Sequence, residues 1–342
     1  MAHSVIKEIA GRKLSIETGR LANQAGGSVL LTYGETTILV AATAAGTPRE
    51  GVDFLPLTVD YEERSYAAGK IPGSFFRREG RPSQEATLTA RLTDRCLRPL
   101  FPKNFHNEIQ VIVTVLSADQ ENDPDLLSII GSSCALGLSN IPFDGPVSAT
   151  RIGYIGDSIV VNPTFEDLKE SKLDLVVAGT EESVVMVESG SDEISEEIIL
   201  DAVRVGQENN REIISLQKEI IQIAAKEKMD IAGQGAINTD LMDSMKAYLG
   251  GRISDTVFTG TEKGERDGDL DNLKDEVRVN FAEEYDSEEI SSIFESLVKK
   301  EVRSRILDKG ERTDGRGLTE IRSITCDTSL IPRVHGSGLF NR

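Results

Sequence analysis

The sequence predicts an α+β domain followed by a smaller helical domain. Short β-branched or apolar runs separated by Gly-rich turns fill the first sixty residues, as at Ser28–Tyr33 and Thr36–Ala42. Later, apolar residues recur at helical spacing as far as about Lys228. Strands that precede helices indicate a sheet with helices packed on it. We therefore predict one α+β domain over residues 1–228.

The other elements of this domain each have a signal. Pro82-Ser83 is a stop followed by an N-cap residue, and Asp123-Pro124 places an N-cap before a proline at the first helical position. A continuous apolar run such as Ile109–Leu116 is typical of a buried strand. The predicted elements are a helix over 84–98, a strand over 109–116, a helix over 124–138 and strands over 174–179 and 184–189.

A second, all-helical domain is predicted over residues 235–309. Gly233-Gln-Gly235 is a candidate linker, and the pattern beyond it is helical and strongly charged, with breaks at Gly250-Gly251 and Gly260. Residues 288–302 form the clearest amphipathic segment. A solvated face explains the charge runs of this domain better than a binding surface does.

Composition limits the compartment and the chemistry. The chain has 342 residues, a net charge of −19, no apolar run long enough to span a membrane and no signal sequence. Its cysteines, Cys96, Cys134 and Cys326, are odd in number and far apart, which fits neither a disulfide framework nor zinc spacing. We expect a cytoplasmic protein without a Cys/His metal site.

One loop, residues 73–83, concentrates positive charge. Between Arg64 and Lys103 stand nine Lys or Arg and only three Asp or Glu. Within the loop, two aromatic faces can stack on bases and three guanidinium groups can bind phosphate oxygens. The alternative is a pair of core phenylalanines beside salt-bridged surface arginines. The residues concerned are Phe75, Phe76, Arg77, Arg78 and Arg81.

This block resembles a known family. Phe75–Ser83, followed by Arg91–Pro102, is similar to the first RNase PH-like core of bacterial polynucleotide phosphorylases. In that family two RNase PH-like cores are joined by an all-helical domain, and RNA-binding modules follow. The resemblance thus implies that residues 1–228 are the first core and that residues 235–309 are the helical domain.

The C-terminal residues repeat the N-terminal ones. Gly315–Thr319 mirrors Gly11–Ser15, and Leu330–Arg342 aligns with Leu21–Tyr33 with one gap. Residues 310–342 are therefore predicted to be a truncated start of a second RNase PH-like core, and the chain a fragment that stops inside a strand.

The resemblance also implies an activity. Family members are transferases that degrade RNA from its 3′ end by phosphorolysis, releasing nucleoside diphosphates in mRNA turnover. They form a homotrimeric ring, use Mg²⁺ and inorganic phosphate, and act alongside other RNA-degradation proteins. By this likeness Phe75 and Phe76 would narrow an RNA channel, Arg77, Arg78 and Arg81 would hold the RNA backbone, and Arg333 and His335 would lie at the edge of a second-core active site.

The first core departs from the family's catalytic pattern. Pro124-Asp125 stands at the helix start where the second core has a phosphate-binding Ser-Ser pair, and an Asp there repels phosphate. Where the second core has two Asp and a Lys, this core has Leu168, Asp174 and Val176. The acidic residues at 119–125 are better explained by helix capping than by a metal. We expect no complete active site in this chain, so that the parent protein is active and the fragment inert.

Two other functions compete with this one. A non-catalytic RNase PH-like ring subunit could guide RNA through the basic loop, although such a subunit should close its last domain. A shorter phosphorolytic exoribonuclease with a single core would lack both the helical domain and the second Gly-Arg start at Gly315.

Overall fold

Two β-sheets form the framework of the first unit of the chain. In a computed structural model, which describes residues 2–49, 52, 54–73, 79–231, 238–259 and 263–342, the chain divides into units 1–234 and 235–342. The first sheet has the strand order β1-β2-β3-β4-β6-β5 and is antiparallel except for the β5–β6 pair. Its strands are β1 (His3–Ile9), β2 (Arg12–Thr18), β3 (Gly27–Tyr33), β4 (Thr36–Ala44), β5 (Leu57–Glu62) and β6 (Ile109–Ser117).

The second sheet is antiparallel, with the order β10-β9-β7-β8. Its strands are β7 (Ser148–Ile155), β8 (Ser158–Val161), β9 (Leu173–Gly179) and β10 (Val184–Ser191). Pleated strands place successive side chains on opposite faces, so the alternation of buried and exposed residues along β6 shows one face against the core.

Helix α2 (Pro124–Leu138) lies at the centre of this unit. It packs against β3, β4 and β7, and nearly all of its residues are buried, because they are small or apolar on every side. Helix α4 (Glu196–Ala224) covers β7, β9 and β1. The unit also contains α1 (Gln84–Leu97), α3 (Phe165–Glu170) and the short 3₁₀ turns Ser65–Ala68 and Arg98–Leu100.

The predicted α+β class is confirmed, and the differences are in single elements. Strands β1, β5, β7 and β8 were not individually predicted; β1, for instance, carries Lys7 and Glu8 on a half-exposed edge strand. The final helix ends at Ala224 rather than near Lys228, since Ala225 already has extended backbone angles. Lys228 instead caps α2, donating to the carbonyl oxygens of Leu136, Gly137 and Ser139 at 2.9–3.0 Å.

The second unit begins with four helices around their own core. They are α5 (Thr239–Leu249), α6 (Arg252–Thr259), α7 (Lys263–Phe281) and α8 (Ser287–Lys309). The apolar face predicted on α8 is buried at Ile290, Ile293, Phe294 and Leu297. Gly250 ends α5 with a positive φ of 51°, where the sequence predicted a break; the predicted break at Gly260 lies outside the described residues.

The chain ends in a two-stranded antiparallel sheet, β11 (Thr325–Thr328) and β12 (Gly338–Asn341). Both strands are exposed along their whole length. Among the described residues, no helix is long and apolar enough to cross a membrane.

Candidate functional site

The basic loop of residues 73–83 is described only in part. Phe75, Phe76, Arg77 and Arg78 lie outside the described residues, whereas Arg81 is exposed. A cationic side chain exposed on a strongly acidic chain is available to an anionic ligand.

The C-terminal end of this loop is attached to the domain through Glu79. The Glu79 carboxylate accepts a hydrogen bond from the Ser65 backbone N–H and lies 3.7 Å from the Arg64 guanidinium. The hydrogen bonds from Ser65 lower the pKa of Glu79. The 3₁₀ turn that starts at Ser65 is itself held beside the end of β6, because the Ala118 N–H donates to the Ala67 carbonyl at 2.9 Å.

Helix α1 starts as the sequence predicted. The Ser83 hydroxyl oxygen accepts from the Ala86 N–H at 3.0 Å, which satisfies a donor of the first turn. At the other end Arg95 pairs with Glu188 and Arg98 with Asp94. Part of the local positive charge is therefore already neutralised within the protein.

The start of α2 holds an ion cluster that sequence reasoning missed. The Arg151 guanidinium, on β7, lies 2.6 Å from an Asp123 oxygen, 2.9 Å from an Asp125 oxygen and 3.1 Å from an Asp174 oxygen. Arg151 and Asp125 are almost entirely buried. Because a planar guanidinium presents donors on three edges, one arginine can contact all three carboxylates. The isolated Asp174 noted in the sequence thus has a structural partner.

Burial and charge repulsion in this cluster both act on the pKa of Asp125. Burial, together with the neighbouring Asp123 carboxylate, raises the pKa of Asp125 to about 7, although Arg151 opposes the shift. The second oxygen of Asp125 is buried without a hydrogen-bond partner among the described residues. A negatively charged helix start already occupied by a guanidinium is a poor binding site for phosphate.

Asp119 serves the loop before α2. Burial tends to raise its pKa, but hydrogen bonds from the backbone and side chain of Asn122 and from the backbone of Glu121 and Glu35 lower it to about 2. These bonds join the β3–β4 turn to the β6–α2 loop. Within the described ranges, no group of three or more His, Cys, Asp or Glu side chains is placed to hold a metal ion.

The sequence matches three family models. Residues 10–142 match domain 1 of the 3′ exoribonuclease family, and residues 145–209 match domain 2. Residues 240–317 match the RNA binding domain of polyribonucleotide nucleotidyltransferase. The chain belongs to the polyribonucleotide nucleotidyltransferase family. The predicted first core, residues 1–228, therefore contains two consecutive family domains, and Arg151 joins the second of them to Asp123 and Asp125 of the first.

Curated relatives with the name polyribonucleotide nucleotidyltransferase align with nearly the whole chain. Those of Roseiflexus castenholzii and Thermomicrobium roseum are each 49% identical, covering 99% and 98% of this chain and 46% and 44% of their own lengths. That of Natranaerobius thermophilus is 45% identical over 100% of this chain and 49% of its own length. The chain thus spans about half the length of the relatives it matches.

A solved structure supports the fold. Rice (Oryza sativa) Rrp46 superposes with a TM-score of 0.52 at 16% identity, covering 63% of this chain and 96% of that one. Together with the family matches, this likeness confirms the predicted RNase PH-like fold.

The C-terminal hairpin resembles the β2–β3 hairpin, but its connection between paired positions is one residue shorter. Ile16 pairs with Leu31 in the first hairpin, as Cys326 pairs with Phe340 in the second. A serine closes each turn: the Ser28 hydroxyl donates to the Leu21 carbonyl, and the Ser337 hydroxyl oxygen accepts from the Ile331 N–H. The two serines stand at equivalent positions in the predicted alignment of 330–342 with 21–33. The strand equivalent to β2, however, lies at 325–328 rather than directly after Gly315.

The predicted alignment places Arg333 and His335 in the turn equivalent to residues 19–27. Both side chains are exposed. In the first copy that turn approaches the C-terminal end of α2, since a Cβ on Gly27 would lie 2.0 Å from the Ala135 carbonyl oxygen. The start of α2, at Pro124, is at the opposite end of the helix. The placement of Arg333 and His335 at the edge of a second-core active site stays a prediction.

Arg12 is a second polar residue whose contacts were not foreseen. Its guanidinium donates to the Asn122 side chain and to the Asn162 carbonyl and lies over the Tyr33 ring, 5.1 Å from its centroid. No local pattern indicates these contacts, because the hydrogen-bond partners of Arg12 and Arg151 are more than a hundred and more than twenty residues distant in sequence, respectively. Only folding brings them together.

Proposed function

We propose that this chain is the RNA-binding first half of a polynucleotide phosphorylase, an enzyme that degrades RNA from the 3′ end by phosphorolysis and releases nucleoside diphosphates. The observation that carries the proposal is 45–49% identity to polyribonucleotide nucleotidyltransferases across almost the full chain. Conservation of this extent over the sheet domain and the helical domain favours one shared activity over a shared fold alone.

RNA contact is proposed for the loop of residues 73–83. Phe75 and Phe76 would stack on bases, while Arg77, Arg78 and Arg81 would bind phosphates. Such contacts read the backbone and stacking rather than base identity, so we expect weak sequence preference. The attachment of Glu79 to Ser65 would give the loop a fixed base. The helical domain is proposed as a second RNA-contacting region, in keeping with the family description of residues 240–317.

The first-core site is proposed to be non-catalytic. Phosphorolysis needs a phosphate site and positive charge directed at the transferring phosphorus. Here the Arg151 guanidinium at the start of α2 is already paired with Asp123, Asp125 and Asp174. Mg²⁺ and inorganic phosphate are accordingly proposed to act at carboxylates and donors of the second core in full-length family members.

The proposed partners are RNA, further copies of the same protein in a homotrimeric ring, and other RNA-degradation proteins; the proposed compartment is the cytoplasm. A second candidate function, an RNA-guiding ring subunit without activity, is favoured by one observation. The carboxylates of Asp123, Asp125 and Asp174 occupy the Arg151 guanidinium, which is then not available to phosphate.

A phosphorolysis assay tests the proposal. The chain is incubated with a 3′-ended RNA, phosphate and magnesium, and nucleoside diphosphates are measured beside RNA binding. We expect binding without product from this chain and product from a chain extended to the length of its relatives. Product from the 342-residue chain would contradict the non-catalytic first core, and an inactive extended chain would favour the guiding subunit.

The loop has its own test. Changing Arg77, Arg78 and Arg81 to Ala should weaken RNA binding and reduce its salt dependence, since each phosphate contact releases counterions. Unchanged affinity and salt slope would remove the loop from the proposal.

A further inference from the structure

The side-chain charge of helix α8 changes from negative to positive along its length. Residues 286–298 contain four acidic residues and no Lys or Arg, whereas residues 299–309 contain five basic residues and two acidic ones. Acids near a helix start and bases near its end complement the macrodipole, but that effect decays within the first and last turn. Lys299 and Arg303 stand more than one turn before the end of the helix at Lys309. The dipole therefore does not account for them.

Three of these cations are exposed and lack a carboxylate partner. Lys299, Lys300 and Arg303 are all exposed, and none of them forms an ion pair within the part of the chain that the structure describes. The Lys300 ammonium approaches only the Met242 sulfur, at 3.6 Å. This group is called the α8 cation patch.

Nearby acids are already occupied by other groups. Glu295 pairs with Lys274 at 2.7 Å, and Glu311 pairs with Arg305 at 2.9 Å. The Asp308 carboxylate accepts from the Ser304 hydroxyl at 2.7 Å. A hydroxyl does not neutralise a carboxylate, so Asp308 and Glu301 keep their charge, and the three cations of the α8 cation patch still outnumber these two acids.

The geometry suits a linear polyanion. Lys299 and Arg303 are four residues apart, hence on one face and about 6 Å apart along the axis. Leu307 continues the same face one turn further and is 69% exposed. Cations followed by an exposed apolar side chain can contact the phosphates and then a base or sugar of a single strand.

We propose that the α8 cation patch binds the backbone of single-stranded RNA at a position separate in sequence from the loop of residues 73–83. The proposal rests on the proposed function, because it assigns a second contact to the same substrate. RNA is favoured over an acidic protein partner because these residues belong to the segment that matches an RNA binding domain.

The test measures RNA affinity of the intact chain by fluorescence anisotropy, with a labelled single-stranded RNA over a range of salt concentrations. The variant K299A/K300A/R303A should bind about tenfold more weakly at low salt. Its slope of log affinity against log salt should fall by about 2, since each lost phosphate contact on single strands contributes about 0.7.

A matched variant removes the same charge elsewhere. K169A/R204A/K218A loses three cations that are already paired with Glu166, Asp201 and Glu181, and it should retain the wild-type slope. If this control loses as much affinity as the patch variant, net charge rather than the patch is responsible and the proposal is wrong. Circular dichroism confirms that both variants fold.

The remaining outcomes separate the two proposals. If the loop variant loses RNA binding while the patch variant does not, the patch is wrong and the loop stands. The reverse result removes the loop and keeps the patch. If the patch variant binds RNA normally but loses binding to polyglutamate, the surface recognises an acidic protein partner and the RNA assignment is overturned.

Discussion

The same hairpin occurs twice in this chain, in opposite environments. In the first copy, Leu31 is fully buried under α2, and its neighbours on β3 join the main core. In the second copy the equivalent residue, Phe340, is 64% exposed, and every residue of β11 and β12 is exposed. Both copies nevertheless form an antiparallel hairpin with a serine that closes the turn.

Strand pairing and burial are therefore separable in this fold. Local sequence, with its turn residues and β-branched side chains, is enough to set the register of a hairpin. Burial of the first copy depends on α2, which packs against β3, and on α4, which packs against β2. Substitutions at equivalent positions should thus have unequal costs, and the difference measures what tertiary packing contributes.

The largest effect is expected where the first unit buries charge. Arg151→Ala leaves three carboxylates without their cation, which should lower the free energy of unfolding by about 3–5 kcal/mol. Urea denaturation of the sheet domain measures this loss. Arg204→Ala, which breaks an exposed pair with Asp201, is the control and should cost less than about 1 kcal/mol.

The pH dependence of this variant has a defined sign. Arg151 lowers the pKa of Asp125, so its removal raises that pKa further above the unfolded value. A folded carboxyl with a raised pKa binds protons more readily than the unfolded chain, so the variant should regain stability as the pH falls toward 5. A deficit independent of pH would show that lost packing, not unpaired charge, dominates.

Core truncation should distinguish the two hairpins next. Leu31→Ala removes a fully buried side chain and should cost about 2–5 kcal/mol. Phe340→Ala, at the equivalent position, removes exposed surface and should change stability by less than about 0.5 kcal/mol. Equal costs, measured by thermal unfolding, would mean that β12 is buried in solution.

Most regular elements of the fold were predictable from the sequence. A continuous apolar run predicts strand β6, and an Asp-Pro start predicts helix α2. Both elements lie within one residue of their predicted bounds. Strand β7 was missed because the buried polar residues Ser148 and Thr150 and the charged Arg151 interrupt its apolar pattern, and β8 because it has only four residues. Local signals describe an element well when apolar side chains dominate its sequence.

The candidate site was less predictable than the fold. The loop arginines stand next to one another in the sequence, so their shared chemistry can be read directly. The partner of Asp174 cannot, since Arg151 and Asp125 lie on different elements that meet only when β7 packs beside α2. A single basic residue in an apolar strand was the one available signal of a buried ion cluster.

Gly27 and Gly336 provide a further test of the difference between the two hairpins. A Cβ on Gly27 would lie 2.0 Å from the Ala135 carbonyl oxygen, whereas Gly336, at the equivalent position, has nothing within 4 Å. Gly27→Ala should therefore destabilise the sheet domain by about 1–3 kcal/mol through overpacking against backbone. Gly336→Ala should be nearly neutral in the same denaturation assay. A neutral Gly27→Ala would show that α2 can move away from β3.

The smallest change in stability is expected at Asp119, which joins the β3–β4 turn to the β6–α2 loop. The lowered pKa of Asp119, about 2, means that its carboxylate stabilises the folded state at neutral pH and that this contribution is lost as the pH falls through about 2. Because the group is only partly buried, we expect only about 1 kcal/mol. Asp119→Asn should remove this contribution at pH 7 and flatten the stability profile between pH 4 and 2.

Asp327→Asn, in the exposed second copy, is the control and should leave that profile unchanged. A wild-type profile already flat in that range would mean that the hydrogen bonds from Asn122, Glu121 and Glu35 do not favour the charged form, and that β-hairpin geometry alone holds the β3–β4 turn.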